Sequence, residues 1–370
     1  MERLLRPSYA EVDIGALRFN YRQIKELVSP AAVMPVVKAN AYGHGAVETA
    51  RALETENPEM LGVATIEEGT QLREAGIKSP ILVLGSVYPF KNFRVIIEYG
   101  LTPVVASLAA AKALEEAAEG SGKKVFFHLE VDTGMGRTGI SPQTAADNWN
   151  HLKGFSHTEC EGVFTHLACA GEDLRETEKQ LGIFRRMLEK ISPPRYIHVL
   201  NTAGMLTSSG AGFNMVRPGL AIYGLCPDGV RRQDYPFKPV LSLKSAVIFL
   251  KEVPGGIKIS YGGTWKAPRK TLIATLCAGY ADGYRRELSN KAGVIINGTL
   301  CPVVGRVCMD MIMVDVTAAS GVRTGDEAVL MGSSGGVSVT AEDLAGLCGT
   351  VNYEILTGIS SRVPRVYRGL

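Results

Sequence analysis

In the stretch "AAVMPVVKANAYGHGA", residues 31–46, an apolar run stops at Lys38, and Asn40, Tyr42 and His44 follow with Gly43 and Gly45 between them. A lysine set among apolar walls holds its proton less firmly, because burial disfavours the charged form. A neutral amine can form a Schiff base with an aldehyde. Other residues able to do chemistry stand beyond later apolar runs: Asp132 and Arg137, then His166, then Asn201 and Thr202, then Arg217. "NTAG", Asn201 to Gly204, opens a helix-like segment whose first amides suit a phosphate. "RPGL", Arg217 to Leu220, adds a glycine that lets backbone approach a ligand. An amine for an aldehyde and a cradle for a phosphate together describe pyridoxal 5'-phosphate, the commonest aldehyde cofactor held by a lysine. Singly, each residue reads more readily as a solvated charge or a satisfied structural group. Their recurrence at one kind of position carries the reading.

That position is a strand end. β-rich runs alternate with segments of helical period: "VMPVVKA" with "GAVETARALE", "MLGVAT" with "IEEGTQLREAG", "PILVLGS" with "FKNFRVIIEYG", "TPVVAS" with "LAAAKALEEAAEG". "KVFFHLEVD", "CEGVFTHLA", "RYIHVLN" and "NMVRPGLAIYG" continue the series. Eight such units over roughly 200 residues predict an α/β fold, a (β/α)8 TIM-type barrel. An open doubly wound sheet is the weaker alternative, since no GxGxxG follows the first strand. Barrel chemistry sits at the C-terminal ends of the strands, where these polar residues fall. Beyond residue 232 short strands are jointed by Gly, Pro, Asp and Asn, with little helical pattern before "TAEDLAGLCG". The expected organisation is a barrel over residues 10–232 and a C-terminal mostly-β domain over 233–370, with residues 1–9 packing against the latter.

The composition narrows the function. A 370-residue chain that is 46% hydrophobic can fill two cores. The formal net charge is +3, without runs of one sign, so nucleic acid is not an expected partner. Seven cysteines without CxxC spacing argue against a disulfide framework or zinc site and for a reducing compartment. No metal constellation is expected, because His44, His128 and His198 are separated and His151 and His157 read as surface residues. The start "MERLLRPSYAEVD" has no secretory pattern, and no run is apolar enough to span a membrane. A cytoplasmic protein is expected.

With these residues in hand, the sequence resembles the alanine racemases, pyridoxal phosphate enzymes built from a barrel and a β domain. The resemblance covers nearly the whole chain, and its motifs stand in order: "VVKANAYGHG", "VDTGMGRTG", "THLA", "NTAG", "NMVRPGLAIYG", "ISYGGTW", "GYADGYRREL", "VGRVCMDMIMVDV" and "VNYEILTGISSRVPRVY". It implies Lys38 as the Schiff-base lysine. It implies Tyr42, Thr202, Gly219, Leu220 and Tyr353 as phosphate ligands, with His166 and Asn201 also beside the cofactor. Arg137 would meet the cofactor phenolate and the substrate carboxylate, and Arg217 the pyridine nitrogen. Cys308, Met309 and Asp310 would lie near the substrate carboxylate, and Tyr284, Arg286 and Arg306 would narrow its approach.

The resemblance also implies a head-to-tail homodimer with shared active sites and an amino-acid substrate. Lys38 would serve the D-face of the α-carbon and Tyr261 of the partner subunit the L-face, supplying D-alanine for peptidoglycan. A tyrosine base needs a lowered pKa, and His166 and Arg217 are the cations expected to provide it. One departure is Glu130, where the family often has a lysine, carbamylated in some members; the expectation is that Glu130 orients Arg137. The alternatives are a pyridoxal phosphate decarboxylase, a broader serine and alanine racemase, and a non-enzymatic pyridoxal phosphate homeostasis protein. Arginine at position 217 disfavours the first, and a β domain carrying Tyr261 disfavours the last. The choice between D-alanine supply and alanine breakdown stays open.

Overall fold

The computed structural model describes residues 5–208 and 213–369 and divides into two compact units. Residues 1–4, part of the segment expected to pack with the β domain, lie outside the described residues. One unit comprises Ala16–Ala41 and Ala46–Lys238; the other comprises Met1–Gly15, Tyr42–Gly45 and Pro239–Leu370.

The first unit is a barrel of eight parallel strands: β1 (Ala32–Val33), β2 (Leu61–Val63), β3 (Ile81–Ser86), β4 (Thr102–Val105), β5 (Val125–Glu130), β6 (Thr158–Phe164), β7 (Tyr196–Asn201) and β8 (Met215–Arg217). Each of β2 to β7 pairs with its successor in the chain, and β1 pairs with β8. An isolated parallel bridge, Val36 to Gly62, joins the chain after β1 to β2 and closes the ring. Val37 N–H donates to Gly62 O at 2.8 Å and Gly62 N–H to Pro35 O at 2.9 Å. β-branched residues fit this doubly buried sheet. Met34, Met60, Leu82, Val104, Phe164, Tyr196 and Met215 form a contiguous buried cluster.

Helices begin where side chains cap them. Ser107 accepts from Ala110 N–H ahead of Leu108–Ser121, Ser141 from Thr144 N–H ahead of Pro142–Lys153, and Asp173 from Arg175 and Glu176 N–H ahead of Leu174–Leu188. The last helix buries Thr177, Gln180, Leu181, Phe184 and Met187 at helical spacing.

In the second unit nine strands form one branched sheet. Leu241–Val253 pairs antiparallel with Tyr9–Asp13, Thr271–Leu276 and Glu327–Ser334. Tyr9–Asp13 also pairs parallel with Arg365–Arg368, so both ends of the chain are sewn into this unit. Arg6 reinforces the N-terminal segment with a 2.8 Å ion pair to Asp282. Val253, Ile259, Ala267, Ile273 and Val304 form a core cluster under the hairpin Lys258–Ile259 and Trp265–Lys266. Among the described residues no helix is long and apolar enough to cross a membrane.

Candidate active site

Lys38 does not continue β1. The backbone turns left-handed immediately after it: Ala39, Asn40, Ala41 and Tyr42 all have φ between 52° and 54°. Left-handed helical geometry costs L-residues roughly 1–2 kcal/mol each, so four in a row need outside support. Ala41 N–H bonds Val37 O at 2.9 Å, Asn40 Oδ1 accepts from Ala46 N–H at 2.8 Å, and Glu68 Oε1 accepts from Ala39 N–H at 2.6 Å. Gly43 and Gly45 follow with φ of 85° and 97°, a region glycine enters without strain. The sequence shows the glycines but not the turn.

Lys38 makes no hydrogen bond or ion pair among the described residues, and burial, then the charge on Arg137, lowers its pKa. Arg217, at the end of β8, is buried. Its NH1 donates to His198 Nδ1 and His198 O, both at 2.8 Å. Its NH2 donates to Thr165 O at 3.0 Å, Val199 O at 3.1 Å and His166 Nδ1 at 3.3 Å. Nε–H takes part in none of these bonds. The acceptors fix the tautomers: His198 receives at Nδ1, so its proton is on Nε2, which donates to His128 Nδ1 at 2.7 Å. Both rings are buried and their pKa values lowered, chiefly by burial. Phe164 stacks on His198, with centroids 4.7 Å apart.

His166 corrects an expectation. Burial, Arg217, Arg137 and Lys38 hold its pKa at about 3, so it is a neutral hydrogen-bonding group at neutral pH and not a cation. The charge of Arg137 acts on Glu130 without a direct bond. No ion pair within 4.0 Å joins it to Arg137 among the described residues; Glu130 Oε2 accepts from Thr138 Oγ1 at 2.8 Å, and Arg137 is exposed. Burial raises the Glu130 pKa, and its charge supports that of Arg217. Asp132 shapes its loop by accepting from Gly134 and Gly136 N–H at 2.9 and 3.1 Å. Asn201 caps Thr202–Thr207, and Thr202 Oγ1 accepts from Gly219 N–H at 3.0 Å, which brings "NTAG" against "RPGL" with Leu220 next in line.

The barrel model of the alanine racemase family, its N-terminal domain, matches residues 12–227, and the C-terminal domain model matches 240–367. The chain belongs to the alanine racemase family. It is 44% identical to the alanine racemase of Carboxydothermus hydrogenoformans over 98% of this chain and 100% of that one. It is 43% identical to that of Halothermothrix orenii over 99% and 98%. A solved alanine racemase from Clostridium difficile superposes with a TM-score of 0.93 at 39% identity, covering 99% of this chain and 97% of that one. These matches make the chain an alanine racemase enzyme.

The second unit of this family member holds the remaining expected residues. Tyr42 is buried, with its ring 5.9 Å from that of Tyr353. Tyr261 is 70% exposed. It sits on a turn where Ser260 has φ 65° and Gly262 φ 70°, and Ser260 Oγ donates to Arg306 O at 2.6 Å. Cys308 Sγ lies 3.6 Å from Ser260 Oγ. Tyr280 and Ala281 N–H donate to Cys308 O and Met309 O, both at 3.0 Å, which gathers exposed Tyr261, Tyr280, Met309 and Met311 on one face of this unit. Asp310 pairs with Arg362 at 2.7 Å. Arg286 is exposed, whereas Tyr284 is buried, with no hydrogen-bonding partner for its hydroxyl among the described residues.

Sequence reading missed two residues bound to this site. His198 was set among separated histidines, yet it is the acceptor beside Arg217. Glu68 gave only a helix-start signal, the Thr65–Glu68 spacing of a capping box.

Proposed function

We propose that this enzyme racemises alanine with pyridoxal 5'-phosphate, using Lys38 and a partner subunit's Tyr261 as two bases. The observation that carries the reading is Arg217: a buried guanidinium with NH1 and NH2 spent on the barrel and Nε–H left over, on the same strand ends as a lysine with a lowered pKa. That donor set fits a ring nitrogen. Thr202, Gly219 and Leu220 suit a phosphate, and Tyr42 and Tyr353 carry hydroxyls suited to the same group.

When bound, the cofactor supplies an aldehyde for the amino group and a ring that draws electrons from the α-carbon. The protein supplies the proton steps. A single base would return the proton to the face it left, so opposite bases are needed for inversion. Lys38, its amine desolvated, exchanges a proton on the D-face, and Tyr261 on the L-face. Arg217 keeps its own proton at working pH, leaving the ring a weak electron sink and more of the work to the bases. His166, being neutral, adds a hydrogen bond to Arg217 rather than charge. Arg137 meets the substrate carboxylate, Cys308, Met309 and Asp310 are assigned near it, and Arg286 and Arg306 narrow the approach; Tyr284, expected there, is buried and is left out of that role.

The strong exposure of Tyr261, Met309, Met311 and Tyr280 supports a homodimer with shared sites. The reaction takes place in the cytoplasm and its D-alanine feeds peptidoglycan, so gene loss should create D-alanine auxotrophy. Purified protein should be yellow and, after borohydride reduction, carry the label on Lys38. Chiral analysis of each amino acid after incubation should show L- and D-alanine approaching equality, with serine slower. Colourless protein that pyridoxal phosphate does not reconstitute would end this reading; loss of carbon dioxide would replace it with a decarboxylase.

A further inference from the structure

Glu68 lies in the first turn of Ile66–Glu74, the helix after β2, and both of its carboxylate oxygens are engaged. Oε2 accepts from Ala64 N–H at 2.7 Å and Thr65 N–H at 3.3 Å, while Thr65 Oγ1 accepts from Glu68 N–H at 3.3 Å. These bonds start the helix. Oε1 does something else: it accepts from Ala39 N–H at 2.6 Å, the first left-handed residue after Lys38. Two further restraints on that turn, from Val37 O and Asn40 Oδ1, are local in sequence and neutral.

We propose that Glu68 is a positioning residue for Lys38: one oxygen fixes the helix start and the other pins the left-handed turn that follows the lysine. The proposal rests on Lys38 being the cofactor-binding lysine. A carboxylate is required because it accepts at both oxygens. A glutamine has one acceptor and an amide that donates, so it satisfies Ala39 N–H or Ala64 N–H and sets donor against donor at the other. Charge matters as well. Arg137 and Arg217 push the Lys38 proton off, Glu68 acts the other way, and His166 is neutral.

The test uses cofactor-free Glu68→Gln, Glu68→Asp and Glu68→Ala proteins with native circular dichroism. Hydrogen exchange of the Ala39 amide, or in Glu68→Gln of Ala39 or Ala64, should quicken by about tenfold or more, the loss expected for a bond to a charged acceptor. Competitive acetylation by acetic anhydride reads the Lys38 titration. Its midpoint should fall in the Gln and Ala variants and less in Asp, which keeps the charge. Unchanged exchange at both Ala39 and Ala64 in folded Glu68→Gln overturns the proposal, because glutamine can serve only one of the two amides. So does an unmoved Lys38 midpoint, because a plain helix cap would not set the amine's titration. Should Glu68→Ala fail to fold, Glu68→Gln decides alone. A borohydride label found away from Lys38 would end the cofactor reading, whereas these measurements, made without cofactor, judge the clamp separately.

Discussion

Acidification from about pH 7.5 to about pH 5.5 should destabilise the barrel before any carboxylate near its usual pKa of about 4 is involved. The cause is the set of histidines around Arg217. Free histidine titrates near ~6.5. In the folded barrel His166 is held at about 3, His198 well below its usual value by burial and then Arg217, and His128 lowered by burial against the opposing pull of Glu161. Below the unfolded value the unfolded chain therefore binds protons that the native chain refuses. Stability rises with pH wherever the unfolded state holds more protons, so it is fully present above the unfolded value and is lost progressively as pH falls toward the folded ones. A histidine that stays neutral throughout, as His166 does, costs about 1.4 kcal/mol across this window, and His198 and His128 add to it in the same direction. Against a total stability of ~5–15 kcal/mol, that is a large fraction. Trp149, buried in the barrel unit, reports the transition by fluorescence once Trp265 is replaced by phenylalanine. The urea midpoint of cofactor-free protein should drop steeply over the window. His198→Asn, which keeps an acceptor beside Arg217 and removes one titrating ring, should flatten the dependence by about one proton. A midpoint that does not move over the window would refute the neutral-histidine account.

A side chain at Gly162 would land on the His128 ring. Gly162→Ala should therefore cost about 1–3 kcal/mol in urea unfolding, by displacing His128 from His198; a loss within error would show that the ring has room to move. Glu130→Gln keeps an acceptor for Thr138 while removing the charge that supports Arg217. Lower turnover is expected in steady-state kinetics, and unchanged kcat and KM would remove Glu130 from the function. Lys38→Ala and Tyr261→Phe chains, each inactive alone, should regain activity when unfolded together and refolded as mixed dimers. A mixture as dead as its components would rule out shared sites.

The sequence exposes those parts of the site that repeat or alternate. β5 to β8 each end in or just before a polar residue after an apolar run, so Asp132, His166, Asn201 and Arg217 could be placed at one end of a barrel from periodicity alone. What stayed hidden depends on geometry that no local pattern encodes. "KANAY" contains no glycine, yet four of its residues are left-handed, because Ala39 N–H is claimed by a carboxylate 29 positions later. His198 resembles any strand histidine until the curvature of the barrel sets β7 beside β8 and turns its Nδ1 toward Arg217. The charge state of His166 was misjudged for the same reason. The sequence places His166 at one barrel mouth with Arg217, Arg137 and Lys38, but it does not show the burial that, with those charges, makes the ring neutral. Chemistry-bearing residue types can be recognised one at a time, whereas their protonation and orientation belong to the group. Arg217 therefore cannot be judged by its own contacts alone: its bond to His198 Nδ1 sets the tautomers of His198 and, through it, His128, and its charge adds to the burial that keeps all three histidines neutral.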